Sequence, residues 1–290
     1  MKKITIPIFI IGFFLIIFAI RLADSFFLRT DQGIIGELFT HKLAGIALLT
    51  LAVYFLHYKW SDIGFKKDQL LRGILRGIAI GGTAFIAAYV FEIIIGIIQG
   101  KTPVLRFYVT SYNIIGNTQL NSGILFILIC IIGNIFNVIM ENGIFNGLFI
   151  TTAEKRYSFA KANILFSSLL FGFWHSVMPI RNYFDENQSL IGMIMTIILL
   201  FSTSFIFSIM LGMQYKQSSS LWDGMTVHFI NNACVNMFHV AFADGTESNP
   251  TMRIAIAQTI MFIIVLTRWF AWKKQNINIL ERKNVKLNDG

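Results

Sequence analysis

Charge is scarce in this chain. Asp, Glu, Lys and Arg make up 13% of its 290 residues, whereas soluble domains carry about a quarter. Together with a 55% hydrophobic content and 29 Phe, that scarcity excludes an ordinary soluble domain. Several apolar runs approach or exceed the roughly 20 residues that cross a bilayer as a helix. Cysteine is nearly missing too: Cys130 and Cys234 both sit inside apolar runs and belong to no metal-binding pair. A disulfide framework is therefore excluded, and both read as small buried hydrophobes. With only 4 Pro, the paired broken helices of many transporters are absent. No His-Glu-x-x-His helix and no Gly-x-Ser-Gly or Gly-x-Gly-Asp element occurs, which leaves other membrane-protease chemistries without support. Nor does any internal repeat, linker or composition shift divide the chain, so residues 1–290 read as one integral-membrane domain.

What is present is an all-α, polytopic pattern. Eight transmembrane helices are expected at about 4–20, 43–58, 74–98, 122–150, 161–178, 190–213, 220–240 and 254–272. The first run follows Lys2-Lys3 and lacks a small-residue cleavage site before Arg21, so it reads as a span and not a signal peptide. Putting both termini in the cytoplasm assigns most of the 24 Lys and Arg to cytoplasmic segments, as the positive-inside rule asks. The net charge of +9 is explained by those loops and the tail, with no nucleic-acid partner implied. The loop Ser61 to Lys67 is expected along the membrane surface. Gly73, Gly77 and Gly81 recur every fourth residue and predict a face where another helix approaches closely.

Three short segments place polar side chains inside apolar runs: Glu141 to Gly147, Phe171 to His175, and His228 to Asn232. An ionisable group at membrane depth costs several kcal/mol, which marks these positions for function. Asn134, Asn137 and Glu141 share one face of the fourth helix, and Ser168, Phe171 and His175 share one face of the fifth. In the seventh, His228, Asn232, Asn236 and His239 form a stripe with Asn231 at its edge. Such stripes must face each other or water. Asn134, Asn137, Asn236 and His239 suit interhelical hydrogen bonding, whereas a carboxylate with two imidazoles points to chemistry.

That set suits activation of water by Glu141 and His175, with His228 and Asn232 one turn apart to donate to an oxyanion. The implied reaction is amide hydrolysis without a covalent intermediate. An alternative uses Glu141, His175 and His228 as ligands of a catalytic zinc with an open position. The sequence leaves both open.

At these residues the chain resembles the CAAX protease and bacteriocin-processing family of membrane endopeptidases (CPBP, or Abi), whose pattern is Glu-Glu-x-x-x-Arg, Phe-x-x-x-His and His-x-x-x-Asn/Asp. Phe171 to His175 fits the second element, with Ser167-Ser168 upstream, and His228 to Asn232 fits the third, preceded by Ser220-Leu221-Trp222. Asp62-Ile63-Gly64-Phe65 is similar to the family's lead-in. The motif-bearing core runs over 122–240. The first element departs from the pattern: Glu141 matches, but Asn142 stands at the second Glu and Asn146 at the Arg, with Phe145 and Gly147 kept. The resemblance implies an eight-helix bundle with Glu141 as the catalytic acid. Asn142, Asn146, Asn134, Asn137 and Asn231 are then supporting polar groups. Loss of the Glu/Arg pair removes opposite charges together and argues against recognition of a prenylated CAAX end. The expectation is an endopeptidase of a bacterial plasma membrane, acting on a peptide or membrane-associated protein. A non-catalytic relative, a bacteriocin self-immunity factor or scaffold, is the alternative.

Overall fold

The computed structural model describes residues 5–32, 38–109, 123–155, 160–243 and 245–288. Lys2, Lys3 and Arg156, which entered the charge argument for orientation, lie outside them. The described residues form an antiparallel-loop bundle of helices: α1 (Thr5–Ala23), α2 (Thr40–Phe55), α3 (Leu70–Ile98), α4 (Ile124–Glu141), α5 (Ile150–Glu154), α6 (Ala160–Trp174), α7 (Val177–Phe184), α8 (Leu190–Ser218), α9 (Trp222–Met237) and α10 (Pro250–Asn288). The α4 rod continues through a π-helical stretch, Asn142–Phe149, into α5. With α6 and α7 nearly continuous as well, the ten segments make the eight helical rods that hydropathy predicts. Among the described residues, six stretches are long and apolar enough to cross a membrane, and α2 is a shorter apolar helix.

Local chemistry explains the boundaries. Ser189 accepts a hydrogen bond from the Gly192 amide and caps α8, and Asn249 Oδ1 accepts from Met252 N to cap α10, whose first residue is Pro250. The sequence pattern starts this last helix later, at 254, because it follows apolar periodicity and not the Asn-Pro start.

Two expectations are corrected. The seventh helix stops at Met237, and Phe238–Phe242 is a strand, β2, paired antiparallel with β1 (Pro103–Phe107). His239 therefore leaves the helical stripe assigned to it and pairs with Arg106 in the sheet. Its ring stacks on Tyr108 at 3.9 Å, and Nδ1 meets Glu247 Oε1 at 2.8 Å. The partner strand is more than a hundred residues away, so no local pattern announces the pairing. The loop before α3 is also more than a surface segment: Ile63 is fully buried. Gly64, at φ +98°, turns there so that its carbonyl accepts from Leu221 N at 2.9 Å.

The glycine face of α3 does what its spacing predicts. A Cβ at Gly73 would fall 2.5 Å from Trp222 Cβ, and one at Gly77 would strike Thr226, so α3 and α9 touch backbone to backbone. Toward the other end of α3, Glu92 and Arg253 form a fully buried ion pair at 2.8 Å that joins α3 to α10. Thus α9, which carries His228 and Asn232, is held from one side by α3. On the other side it packs against α4 and α8.

Candidate active site

Glu141 ends the regular part of α4, and the backbone widens into π geometry at the next residue. Single π turns in α-helices recur at functional sites. Here the wide turn lets Gly147 lie so close to the loop before α3 that a Cβ would come 2.7 Å from Ile63 O. It also turns Asn142 toward α9.

The Glu141 carboxylate is buried and held on both oxygens. Trp174 Nε1 donates to Oε1 at 2.7 Å, and Asn137 Nδ2 donates to Oε2 at 3.1 Å. His228 Nε2 lies 3.6 Å from Oε2, and its Nδ1 is 2.8 Å from Asn142 Oδ1. Both Asn137 and Asn142 are thereby part of the centre. The Asn137 contact is more than helix adhesion, since it fixes the acid itself.

His175 follows the last residue of α6. Its Nδ1 lies 2.9 Å from the Phe171 carbonyl. A carbonyl only accepts, so the ring proton sits on Nδ1, and Nε2 is left as a lone-pair acceptor. Phe171 links the two imidazoles, packing edge-on against His175 at 4.7 Å and His228 at 6.2 Å. His175, His228 and Arg21 all interact electrostatically with Glu141.

Asn232 is half-buried, and its Oδ1 accepts from Asn231 Nδ2 at 3.3 Å. Gln258 of α10 holds Asn231 in turn, donating to its Oδ1 at 3.2 Å. With its oxygen engaged, Asn232 keeps its Nδ2 hydrogens to donate. The remaining polar candidates lie apart from the centre. Asn134 Nδ2 meets Cys130 Sγ at 3.6 Å, one turn back on its own helix. Asn146 Nδ2 reaches Ser208 O at 3.5 Å and fastens the π-helical stretch to α8.

Several groups at the centre were not singled out from the sequence. Trp174 could have been found one residue before His175. Arg21, Asp24, His41 and Gln258 carry no local signal, because only packing brings α1, α2 and α10 to the motif helices. Among the described residues no group of three His, Cys, Asp or Glu side chains is arranged to hold a metal ion.

A bundle of apolar helices around the buried Glu141 carboxylate, with the imidazoles of His228 and His175 beside it, describes a multi-pass membrane protein with an ionisable centre among its helices. The family follows from comparison. The family model "Type II CAAX prenyl endopeptidase Rce1-like" matches residues 123–234. The match spans all three motifs and supports the resemblance read from them, to the CAAX protease (CPBP) family of membrane proteases. No curated protein and no solved structure matches the chain.

Proposed function

We propose that the protein is an intramembrane endopeptidase of the plasma membrane in which Glu141 and His175 activate water, and His228 and Asn232 stabilise the oxyanion. The observation that carries this reading is the Glu141 carboxylate, buried at membrane depth yet oriented by two donors and faced by two imidazoles. A group that merely joined helices would not need this arrangement.

Each residue's bonding suits its role. The lone pair on His175 Nε2 and the Glu141 carboxylate both accept hydrogen bonds from water, and together they take its proton as it attacks a peptide carbonyl. Proton transfer onward to the leaving amine completes the hydrolysis. For the oxyanion, Asn232 offers Nδ2 and His228 offers Nε2–H. The latter requires Nδ1 of His228 to be the acceptor, which follows when the Asn142 amide, placed with Oδ1 toward the ring, turns to bring its otherwise unpartnered Nδ2 there instead. A carboxylate at 142 could only accept. Asn142 therefore supports a donor on His228 without adding a second negative charge beside Glu141.

The substrate is a peptide or membrane-associated polypeptide. With Asn at both 142 and 146, the centre lacks the charged pair of its relatives' pattern, which argues for a substrate other than a prenylated CAAX end. The test is a peptide library presented to the purified protein in proteoliposomes, in water enriched in oxygen-18, with products read by mass spectrometry. Wild type should yield defined new termini bearing the heavy oxygen, and His175→Ala should yield none at unchanged melting temperature. Equal product from His175→Ala would refute the assignment. No product from wild type would favour the non-catalytic alternative, a self-immunity or scaffold protein.

A further inference from the structure

Outside the family-matched segment, Arg21 of α1 and His41 of α2 converge on the indole that holds Glu141, and Asp24, in the π-helical extension Asp24–Leu28 of α1, holds His41. Arg21 places its guanidinium carbon 4.3 Å from the centre of the Trp174 ring. The His41 ring lies 5.8 Å from that indole, and Phe145 of the π-helical stretch lies 5.9 Å from it. The Trp174 N–H, pointing out of this clamp, makes the 2.7 Å bond to Glu141 Oε1.

Arg21 is an expensive residue to bury here, since a guanidinium removed from water costs several kcal/mol unless an anion answers it. Its Nε and Nη1 are buried and have no hydrogen-bond partner among the described residues. Asp24 is nearby but heavily engaged. Its carboxylate accepts from Thr30 Oγ1 at 2.8 Å, from His41 N at 2.9 Å, and meets His41 Nδ1 at 2.8 Å. Glu141 is the other anion with which Arg21 interacts. Of the groups acting electrostatically on Glu141, Arg21 alone carries a permanent charge; His175 and His228 are imidazoles. The first motif, with Asn142 and Asn146, contributes no cation.

We propose that Arg21 and Trp174 form a positioning relay through which the N-terminal helices hold the Glu141 carboxylate. Arg21 stacks on the indole and fixes its plane, the indole N–H fixes Oε1, and the guanidinium charge balances the acid across the ring. Both are positioning residues. The catalytic consequence rests on the reading of Glu141 as the base, whereas the relay itself does not.

The test uses the full-length protein in proteoliposomes and two conservative changes. Trp174→Phe keeps a ring and deletes the N–H; Arg21→Met keeps the stem and deletes the charge. The first readout needs no turnover: the infrared carboxylate band of Glu141, identified as the band lost in Glu141→Gln. It should shift in both variants and return part of the way in Arg21→Lys, which restores the charge without the planar stack. The second readout is cleavage of a peptide selected from the library. There kcat should fall by about 10²-fold in Trp174→Phe, with KM within about twofold, the split expected when only transition-state positioning is lost. A band unmoved in Arg21→Met overturns the relay, as does wild-type kcat in Trp174→Phe. Should Arg21→Met fail to fold, Arg21→Lys carries the test: an intermediate band position supports the relay and a wild-type position overturns it. A shifted band with no peptide cut by wild type would leave the relay standing and remove the protease reading, so the two claims fail separately.

Discussion

Individual side chains in this site have their chemistry fixed by what their other atoms already do. Asn232 offers Nδ2 because Asn231 occupies its oxygen, and His175 offers Nε2 because Phe171 O occupies its other nitrogen. Replacing Asn232 by Leu should therefore lower kcat by about 10²-fold, the usual cost of one oxyanion donor. Its melting temperature should stay close to wild type because the residue is half-buried, and paired turnover and thermal-shift measurements check both. Asn142→Leu should cost activity for a different reason: His228 would lose the group that sets its tautomer, and Asn142→Gln should recover part of the loss in the same assay. At this scale the sequence was generous. Glu141, His175, His228 and Asn232 stand out because polar residues inside apolar runs are conspicuous, and the structure brings His228 within 3.6 Å of Glu141. Arg21 and Trp174 were not, because an arginine at the end of a first span and a tryptophan in an aromatic run both have ordinary explanations until α1 is seen against α6.

Between elements, two contacts fix α3, one against the motif helix α9 and one against α10. One is the glycine face of α3, where Gly77→Leu would force the helix off Thr226. Overpacking of this kind costs about 1–3 kcal/mol, and the variant should show both a lower melting temperature and reduced turnover. The other is the Glu92–Arg253 pair, fully buried on both sides. Glu92→Gln leaves Arg253 charged without its full partner, and a loss of about 3–5 kcal/mol is expected, measurable by denaturation in mild detergent. The strand after α9 adds a dependence on pH. The hydrogen bond from His239 holds the Glu247 carboxyl below its ordinary range. The resulting stabilisation is present above the ordinary carboxylate pKa and is lost as pH falls through the lowered one. Acidification should therefore loosen the β1–β2 pairing, read as faster amide exchange at Val240 and Ala241, and Glu247→Gln should remove that acid dependence. Helix number and the close-packed glycine face were readable from periodicity and spacing. The sheet was not, because β1 and β2 are each five residues long and meaningful only as a pair.

For the molecule as a whole, the family-matched stretch is less than the working unit. Residues 123–234 carry every motif, yet α3 and α10 cover α9 from outside that stretch, and α1 with α2 packs against the acid. A fragment limited to residues 123–234 should therefore fail to reach a monodisperse folded state in detergent, while the full chain does; size-exclusion chromatography distinguishes them. The membrane character follows from composition alone, since an outward surface of Ile, Leu and Phe suits only lipid. What composition could not show is that the N-terminal helices reach the Trp174–Glu141 pair, because charge inside the bundle is balanced across the fold and not within a motif.

The most direct test of the central claim is the cleavage rate of one library-selected peptide by wild type and by Glu141→Gln, both in proteoliposomes and both shown folded by melting temperature. The amide keeps the size of the side chain and removes its basicity, so turnover should fall by at least about 10²-fold, the low end for losing a general base. Turnover within a few-fold of wild type would contradict the account, since the site would then be hydrolysing peptide without the acid on which it is built.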